Sequence, residues 1–311
     1  MRTASAPSDL RQAGASTDQP RDATGGARRA PLGRSFLWGR GTSRRVLGLL
    51  LALLWLVFAA APIYYMLVVS FEPQSSYLNS NPWFPTAGVT AANYSAVFAS
   101  GFGRYLLNSV ITTLGTTVLA VTVSLLAAHV IVRRTRGITA VIFRVFLVGL
   151  AVPIQALIIP LYVEILRLHL YNTLFALIIP LAAFAIPLTV LILVNFLRDV
   201  PRELIDAVQI DGAGPVRQLT SLVIPVAKPA ITTVAIYDAL TAWNNFLFPL
   251  IFTQSSNVAV LPLAIFNFSG RYLIDIPAIM AAVFLSVAPL FVIYIGARRQ
   301  IIGGLTAGFS R

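Results

Sequence analysis

Long apolar runs separated by short polar connectors dominate the chain from about residue 46 onward. Six of these runs have lengths close to the roughly 20 residues that an α-helix needs to cross the hydrocarbon core of a bilayer. The runs cover approximately 46–69, 106–132, 145–163, 173–196, 231–252 and 277–296. This pattern predicts an all-α integral membrane protein with six transmembrane helices.

The connectors differ in their arginine content. The basic connectors, which six crossings place on the same side as the N-terminus, are 133–137 (RRTRG), 198–228 and 297–299. The connectors of the other side contain only three basic residues, Arg104, Arg167 and Arg271. Because basic loops remain in the cytoplasm, we expect both termini to be cytoplasmic. Residues 198–229 then form a cytoplasmic loop, and residues 297–311 a cytoplasmic C-terminal tail.

Residues 1–45 contain nine arginines and three aspartates but few large apolar side chains. Such a segment cannot bury enough apolar surface to offset the entropy of ordering it, so we predict a disordered cytoplasmic tail. Ser43–Gly48 (SRRVLG), followed by Ala59–Ala61, resembles an export signal with its cleavage site. The apolar run, however, continues to Val69 and is long enough to cross the membrane, which favours an uncleaved first span.

The composition also excludes several kinds of site. The chain has no cysteine and two histidines, His129 and His169, so disulfides and thiolate metal sites are excluded and no metal site is expected. The only lysine, Lys228, precedes Pro229, which excludes a nucleotide-binding P-loop. The net charge of +12 is concentrated in the N-terminal region and beside the apolar runs. It is not interleaved with aromatic residues, so nucleic-acid binding is not predicted.

One polar segment, Asp206–Pro225, differs from its apolar surroundings. Asp199 can cap a short helix, and Gly212 supplies the left-handed residue that ends it. Pro215 can start a second short helix, which Pro225 then stops. The apolar positions of the first helix are Leu204, Ala207 and Val208, and those of the second are Val216, Leu219, Leu222 and Val223. The segment is too short to fold alone, and its size suits a groove on another protein.

The same segment resembles the "EAA" loop of bacterial ATP-binding-cassette (ABC) importer permeases. That motif reads E-A-A-x-x-D-G-A, then a spacer, then I-x-L-P. The matching stretches are 206–208 (DAV), 211–213 (DGA) and 222–225 (LVIP). Two positions depart mildly from the motif, since Asp206 replaces the glutamate and Val208 replaces the second alanine.

Further stretches are similar to carbohydrate permeases, in particular to the second, maltose-type permease subunit of sugar importers. They are 93–98 (NYSAVF), 105–110 (YLLNSV), 152–162 (VPIQALIIPLY), 172–173 (NT), 243–251 (WNNFLFPLI), 261–266 (LPLAIF) and 303–308 (GGLTAG). The resemblance extends from about Trp55 to the C-terminus. It implies the type I permease fold of ABC importers and a location in the bacterial cell membrane.

The resemblance implies a complex in which this chain is not an enzyme. Two different permeases form a heterodimer, two ATPase subunits bind the ATP, and an extracytoplasmic binding protein delivers the sugar, so this chain needs no cofactor. The residues expected to couple the permease to an ATPase are Asp206, Ala207, Asp211, Gly212, Ala213 and Pro225. The C-terminal residues expected at the ATPase interface are Gly304, Leu305, Thr306 and Gly308.

Polar side chains in the fifth span form a candidate substrate path. Asp238 lies inside the span, where a carboxylate is costly and should face the bundle interior or a watery path. Trp243, Asn244 and Asn245 follow on the same predicted helix, and amides and an indole face can contact sugars. Alternatively, these groups join helices by hydrogen bonds. The polar residues of the second span, Asn108, Thr112 and Thr116, are interpreted as packing residues.

Two other functional classes fit the sequence less well. An ion-coupled secondary transporter would usually show internal repeats and more intramembrane acids than Asp238 alone. A membrane-embedded hydrolase needs a nucleophile and a base, and neither histidine lies near a convincing serine motif. ATPase dependence and vanadate sensitivity of uptake would distinguish the first class, and activity of the isolated subunit would reveal the second.

Deleting Arg2 to Gly33 is expected to preserve membrane orientation, assembly and transport. Arg44 and Arg45 lie closest to the first span and should dominate its orientation, although the shortened chain loses some attraction to anionic lipid. A reporter fused to the shortened N-terminus measures orientation, and sugar uptake measures function. An inverted or inactive truncated chain would show that the tail is a functional element.

Overall fold

The computed structural model describes residues 38–79, 81, 83–84, 88–133, 137–267 and 275–307. Most of the predicted N-terminal tail, residues 1–37, lies outside these residues, as do Gly308 and the centre of the RRTRG connector. Residues 58–311 belong to one compact unit, and the residues up to Val57 belong to another.

The described part of the chain is helical and contains no strand. Its α-helices are α1 (Trp38–Ser70), α2 (Gln74–Tyr77), α3 (Ala92–Ala99), α4 (Phe102–Arg133), α5 (Ile138–Gly149), α6 (Ile154–Arg167), α7 (Phe175–Arg198), α8 (Arg202–Ile210), α9 (Pro215–Gln218), α10 (Ile224–Trp243), α11 (Leu247–Phe252), α12 (Leu261–Asn267) and α13 (Ile276–Ala307). A π-helical turn, Leu219–Val223, connects α9 to α10.

The helices confirm the predicted all-α membrane architecture. Stretches long and apolar enough to cross a membrane are Arg45–Ser70, Phe102–Arg133, Phe175–Arg198 and Pro215–Trp243. The bent pair α5–α6 can supply one further crossing, and α13 contains a shorter apolar stretch, Ile276–Val292. Together these elements are compatible with six crossings.

Two helices extend beyond the predicted spans. α1 begins at Trp38, so residues 38–45 are helical and not part of a disordered tail. α13 continues to Ala307, so residues 297–307, predicted as a tail, are helical as well. Neither extension contains a proline, so each backbone N–H can continue the hydrogen-bond ladder of its helix although the apolar run has ended.

The third predicted span, 145–163, is not one straight helix. α5 ends at Gly149, α6 begins at Ile154, and the two helices are bent by 105°. Pro153 lies at the break with extended backbone angles (φ −71°, ψ 127°). A proline disfavours the helical conformation of the residue before it, here Val152, and this interrupts the helix.

The fifth predicted span, 231–252, has different boundaries. The helical path begins at Pro215 and ends at Trp243, and α11 follows after a break at 244–246. In an uninterrupted helix the ring of Pro249 would clash with the carbonyl of Asn245. Instead, Oδ1 of Asn245 accepts a hydrogen bond from the N–H of Phe248 at 3.0 Å, at the start of α11.

The core of the compact unit lies where α4, α7 and α10 pack together. Its buried apolar residues are Leu125, Ala128, Ile131, Val190, Leu193, Val194, Leu197, Val223, Ala227, Ala230 and Val234. Gly115 lets α4 approach α7 closely, because a β-carbon at this position would lie 2.9 Å from Cδ1 of Ile178. Small residues at such contacts are typical of helix packing in membranes.

The two ends of the helix bundle differ in charge. We call the end that contains Arg133, Arg198 and Lys228 the basic end. The opposite end contains the segments 71–79, 88–101, 168–174 and 253–260. Side-chain amides join these segments to the helix ends: the buried Asn93, for example, donates to the carbonyls of Ser70 (2.9 Å) and Glu72 (2.8 Å).

Candidate functional site

The polar segment at the basic end folds as two short helices joined by a tight elbow at Gly212. After α8 ends, the N–H groups of Gly212 and Ala213 donate to the carbonyls of Gln209 (3.0 Å) and Val208 (3.2 Å). This pair of bonds is a Schellman motif, which places a left-handed residue after the helix. Gly212 has φ +74°, so its predicted left-handed conformation is confirmed.

The start of α8 differs from the prediction. Pro201 occupies the position immediately before α8, whereas Asp199 directly follows α7. The fixed φ of proline suits the entry into a helix, and this position needs no side-chain acceptor to form.

A buried glutamine fixes the direction of the chain after the elbow. Gln218 is 2% exposed, and its Nε2 donates to the carbonyl of Ala213 at 2.8 Å. The sequence pattern missed this residue because it assigned the buried face to apolar positions only. One of those positions, Val216, is instead 74% exposed.

The second helix does not stop at Pro225, contrary to the prediction. α9, the π turn and α10 follow one another without a break from Pro215 to Trp243. The π turn lies just before Pro225, where a regular α-helix would bring the proline ring against the carbonyl of Ser221. Widening the helix by one residue accommodates the ring, so the elbow is continuous with a membrane-spanning helix.

The elbow exposes apolar side chains. The exposed fractions are 46% for Leu204 and 86% for Ile210, the last residue of α8. The predicted coupling residues Asp206, Ala207, Asp211, Gly212 and Pro225 are also exposed, whereas Ala213 is buried. An apolar patch rimmed by polar groups is typical of a protein–protein contact. We call Leu204–Val216 the elbow surface.

Asp238 lies in the contact between α10 and α7. It is 1% exposed, and the hydroxyl of Thr189 donates between its Oδ1 (3.2 Å) and its Oδ2 (3.0 Å). The carboxyl group thus faces the interior of the bundle, as expected of an intramembrane acid. In this conformation it joins two helices of one chain and is not open to a substrate. Thr189 was missed because its pairing depends on the register of two distant helices.

Of the other three candidate path residues, Trp243 is the last residue of α10, and only the two asparagines do not continue the helix as predicted. Trp243 is 6% exposed and packs with a cluster that includes Phe102 and Leu261. Asn244 and Asn245 lie beyond the end of α10. Asn244 is exposed, and its Nδ2 donates to the carbonyl of Leu240 at 2.8 Å. Of the four candidates, only the two asparagines are therefore accessible.

One face of α10 is both polar and exposed. Tyr237 and Thr241 lie four residues apart on this face and are exposed, as is Asn244, which directly follows the last residue of α10. Thr233, one turn earlier, is partly buried. We call these four residues the polar face of α10. It borders an open depression of about 630 Å³, whose lining residues are Tyr237, Leu240, Thr241, Asn244, Asn245, Phe246 and Leu247. The spacing of the four polar residues, three or four positions apart, was visible in the sequence and could have predicted this polar helix face.

The exposed face of α4 is apolar, in contrast to that of α10. Leu107, Leu114 and Val118 are 57%, 59% and 64% exposed, and such side chains suit contact with lipid. Hydroxyl and amide groups within membrane helices are favoured where they face water or another helix. The polar face of α10 is therefore suited to a water-filled path or to a partner subunit.

Comparison with known proteins identifies the group to which this chain belongs. Residues 120–302 match the family of binding-protein-dependent transport system inner membrane components. The chain belongs to this family. It is thus a permease component, a membrane subunit of a transport system that does not itself catalyse a reaction.

Three similar proteins illustrate this relationship. The permease is 38% identical over 254 residues to a Caldicellulosiruptor protein assigned as an ABC transporter permease, a match covering 82% of this chain and 92% of that protein. It is 32% identical over 264 residues to the diacetylchitobiose uptake permease NgcG of Streptomyces coelicolor (84% and 87%). It is 32% identical over 272 residues to the trehalose/maltose permease MalG of Thermococcus litoralis (85% and 96%).

The fold of the permease is that of an ABC importer. A chain of a bacterial ABC transporter involved in alginate import matches it with a TM-score of 0.73, covering 83% of the permease and 97% of that chain at 17% identity. Of the C-terminal residues predicted at an ATPase interface, Gly304, Leu305 and Thr306 lie within α13, while Gly308 lies outside the described residues.

Proposed function

We propose that this permease is the second, maltose-type permease subunit of an ATP-driven sugar importer in the bacterial cell membrane. It forms the transport path with a different permease subunit. Two ATPase subunits drive the pair, and an extracytoplasmic binding protein delivers the sugar. The observation that carries the proposal is the elbow surface, which is exposed, partly apolar and continuous with α10.

The elbow surface supports coupling to an ATPase in three ways. Leu204, Ile210 and Val216 offer apolar contacts, since these side chains are 46%, 86% and 74% exposed. Gly212 and Gln218 fix the angle between α8 and α9. The uninterrupted path from Pro215 to Trp243 joins the elbow to the membrane-spanning part of the molecule. A displacement of the elbow in an ATPase groove would therefore move α10.

The orientation of the permease is proposed from charge. Basic connectors remain in the cytoplasm, which assigns the basic end and both termini to that side. The elbow surface lies at the basic end, and ATP is available on the cytoplasmic side. The charge argument and the coupling argument therefore favour the same orientation, with the opposite end facing the binding protein.

The transport path is proposed along the polar face of α10. We assign the path to this face and not to the predicted residues Asp238 and Trp243, because both are buried inside the chain. Its hydroxyl and amide groups carry no charge and can hydrogen-bond to sugar hydroxyls, and the ring of Tyr237 can contact the apolar face of a sugar. The neighbouring open depression has a volume of about 630 Å³.

Related permeases support a sugar as the substrate. Those of Streptomyces coelicolor and Thermococcus litoralis are named for diacetylchitobiose and for trehalose and maltose. A Bacillus subtilis relative, 28% identical over 275 residues, is named for melibiose, raffinose and stachyose. These names refer to small oligosaccharides, which suit the uncharged polar face of α10.

The proposal is tested by purifying the tagged permease from its own host and reconstituting the complex in liposomes. We expect a second permease and an ATPase to co-purify. Sugar accumulation should require ATP on the elbow side and the binding protein on the other, and vanadate should stop it. Deleting the gene should abolish uptake of the same sugar in cells, and a plasmid copy should restore it. Uptake by the purified chain alone, driven by a proton or sodium gradient, would contradict the proposal.

A further inference from the structure

The loop 253–260 at the opposite end is held by side chains from two different parts of the bundle. It connects α11 to α12, and its first half contacts the turn between α6 and α7. Its second half contacts α4. The residues that make these contacts are Asn172, Asn108 and Ser109.

Asn172 holds the first half of the loop as an acceptor. Its Oδ1 accepts hydrogen bonds from the N–H groups of Gln254 (2.9 Å) and Ser255 (2.9 Å) and from the hydroxyl of Ser255 (3.1 Å). Its own N–H donates to the carbonyl of Phe252 at 2.9 Å. Asn172 has φ +59°, a conformation that asparagine tolerates better than most residues.

Asn108 holds the second half as a donor. It is 7% exposed, and its Nδ2 donates to the carbonyls of Asn257 and Ala259, both at 2.9 Å. The neighbouring Ser109 accepts a hydrogen bond from the N–H of Leu261 at 2.8 Å. The two asparagines thus hold the same loop by different atoms of the side-chain amide, Asn172 by its oxygen and Asn108 by its nitrogen.

The position of α11 is fixed by these contacts together with the packing of Phe248 and Phe252, which are 1% and 0% exposed. This helix has six residues, too few to be stable as an isolated helix. At its start it is joined to α10 through Asn245, and at its end it is followed by the loop that Asn172 and Asn108 hold. Leu247, the first residue of α11, lines the depression beside the polar face of α10 together with Asn245 and Phe246, which directly precede it. The position of the start of α11 therefore sets part of one wall of that depression.

We propose that Asn172 and Asn108 are positioning residues of the transport path, acting through α11 and loop 253–260. They hold this wall against α4 and α7 so that the depression keeps its shape while sugar passes. The inference rests on the proposed function, since it concerns the same path. Asn172 acts as a hydrogen-bond acceptor and Asn108 as a donor. Replacing asparagine by aspartate keeps the shape and the acceptor atoms but removes the donor, so it should affect Asn108 and not Asn172.

Asn172→Asp keeps every acceptor contact, so uptake should remain within about twofold of wild type. Asn108→Asp removes both donated bonds and sets a carboxylate against two carbonyls, so uptake should fall at least tenfold. Asn172→Gly permits the positive φ but removes the acceptor, and it should resemble Asn108→Asp. Uptake is measured for a short and a long sugar at equal membrane abundance. Impaired variants should also change the ratio of maximal rates for the two sugars, because one wall has moved.

The mobility of the loop provides a second readout. The chain has no cysteine, so Ser256→Cys, at an exposed position, gives a single site in this chain for a nitroxide spin label. Any cysteines of the partner subunits are replaced before the purified complex is labelled. We expect restricted label motion in the parent and in Asn172→Asp, and faster motion in Asn108→Asp and Asn172→Gly. Equal uptake and equal label motion in Asn172→Asp and Asn108→Asp would overturn the inference, as would a strong defect in Asn172→Asp. Failure of the parent protein to transport any sugar would instead contradict the proposed function.

Discussion

Replacing Gly212 by valine is expected to reduce sugar uptake to less than about a tenth of wild type while the permease still inserts into the membrane. The left-handed conformation at φ +74° costs an L-residue about 1–2 kcal/mol and is least tolerated by β-branched side chains. About 1.4 kcal/mol already shifts an equilibrium tenfold. The Schellman motif would therefore open, and α8 would point in a new direction.

Gly214 provides the matched control for this experiment. A β-carbon at either glycine meets no atom within 4 Å, and both residues are exposed. Gly214, however, has φ −65° and ψ 171°, an extended conformation that valine readily adopts. Gly214→Val should therefore keep the elbow angle and transport much better than Gly212→Val, although both variants add the same side chain to the elbow surface. Uptake, membrane abundance and co-purification of the ATPase are measured for both variants, and equal uptake would show that the elbow angle is irrelevant to coupling.

Replacing Thr189 by valine is expected to destabilise the permease by about 1–3 kcal/mol. Valine has nearly the same shape as threonine but cannot donate to Asp238, which is 1% exposed. A buried polar group that loses its partner carries its full desolvation cost. The loss should appear as a lower midpoint of thermal unfolding for the purified complex in detergent.

The double variant separates pairing from packing. Asp238→Leu leaves the Thr189 hydroxyl free to bond within its own helix, and Asp238→Leu combined with Thr189→Val joins two apolar side chains. We expect the double variant to be more stable than Thr189→Val alone, with unchanged preference among sugars, because Asp238 lies off the polar face of α10. A change in sugar preference on removal of the carboxyl group would show that Asp238 belongs to the transport path.

The approximate positions of the spans could be predicted because an apolar run of sufficient length has few alternatives to a membrane helix. The left-handed Gly212 was predictable for a similarly local reason, since few residues other than glycine adopt that conformation at low cost. The exposure of the elbow also agrees with its polar composition.

The helix breaks could not be predicted from the position of proline. Pro153 and Pro249 accompany breaks, whereas Pro180 and Pro187 lie inside α7 and Pro225 follows a π turn. A proline always frees one carbonyl, but whether the helix continues depends on how neighbouring groups or a local widening compensate. That compensation is a property of the tertiary structure. The pairing of Asp238 with Thr189 could not be predicted for the same reason, since it depends on how α7 and α10 pack.

The continuous helical path from Pro215 to Trp243 can act as a lever that joins the elbow to the far end of α10. Its 29 residues span about 43 Å at the usual rise per residue. A tilt of about 10° at one end would displace the other end by roughly 7 Å. The lever ends where α10 breaks, beside the depression lined by Asn244 and Asn245. In the proposed coupling, a small rotation at the elbow would therefore produce a large displacement at the far end. The helical path can bend at the π turn and at Pro229, which lies inside α10 and has no N–H to donate.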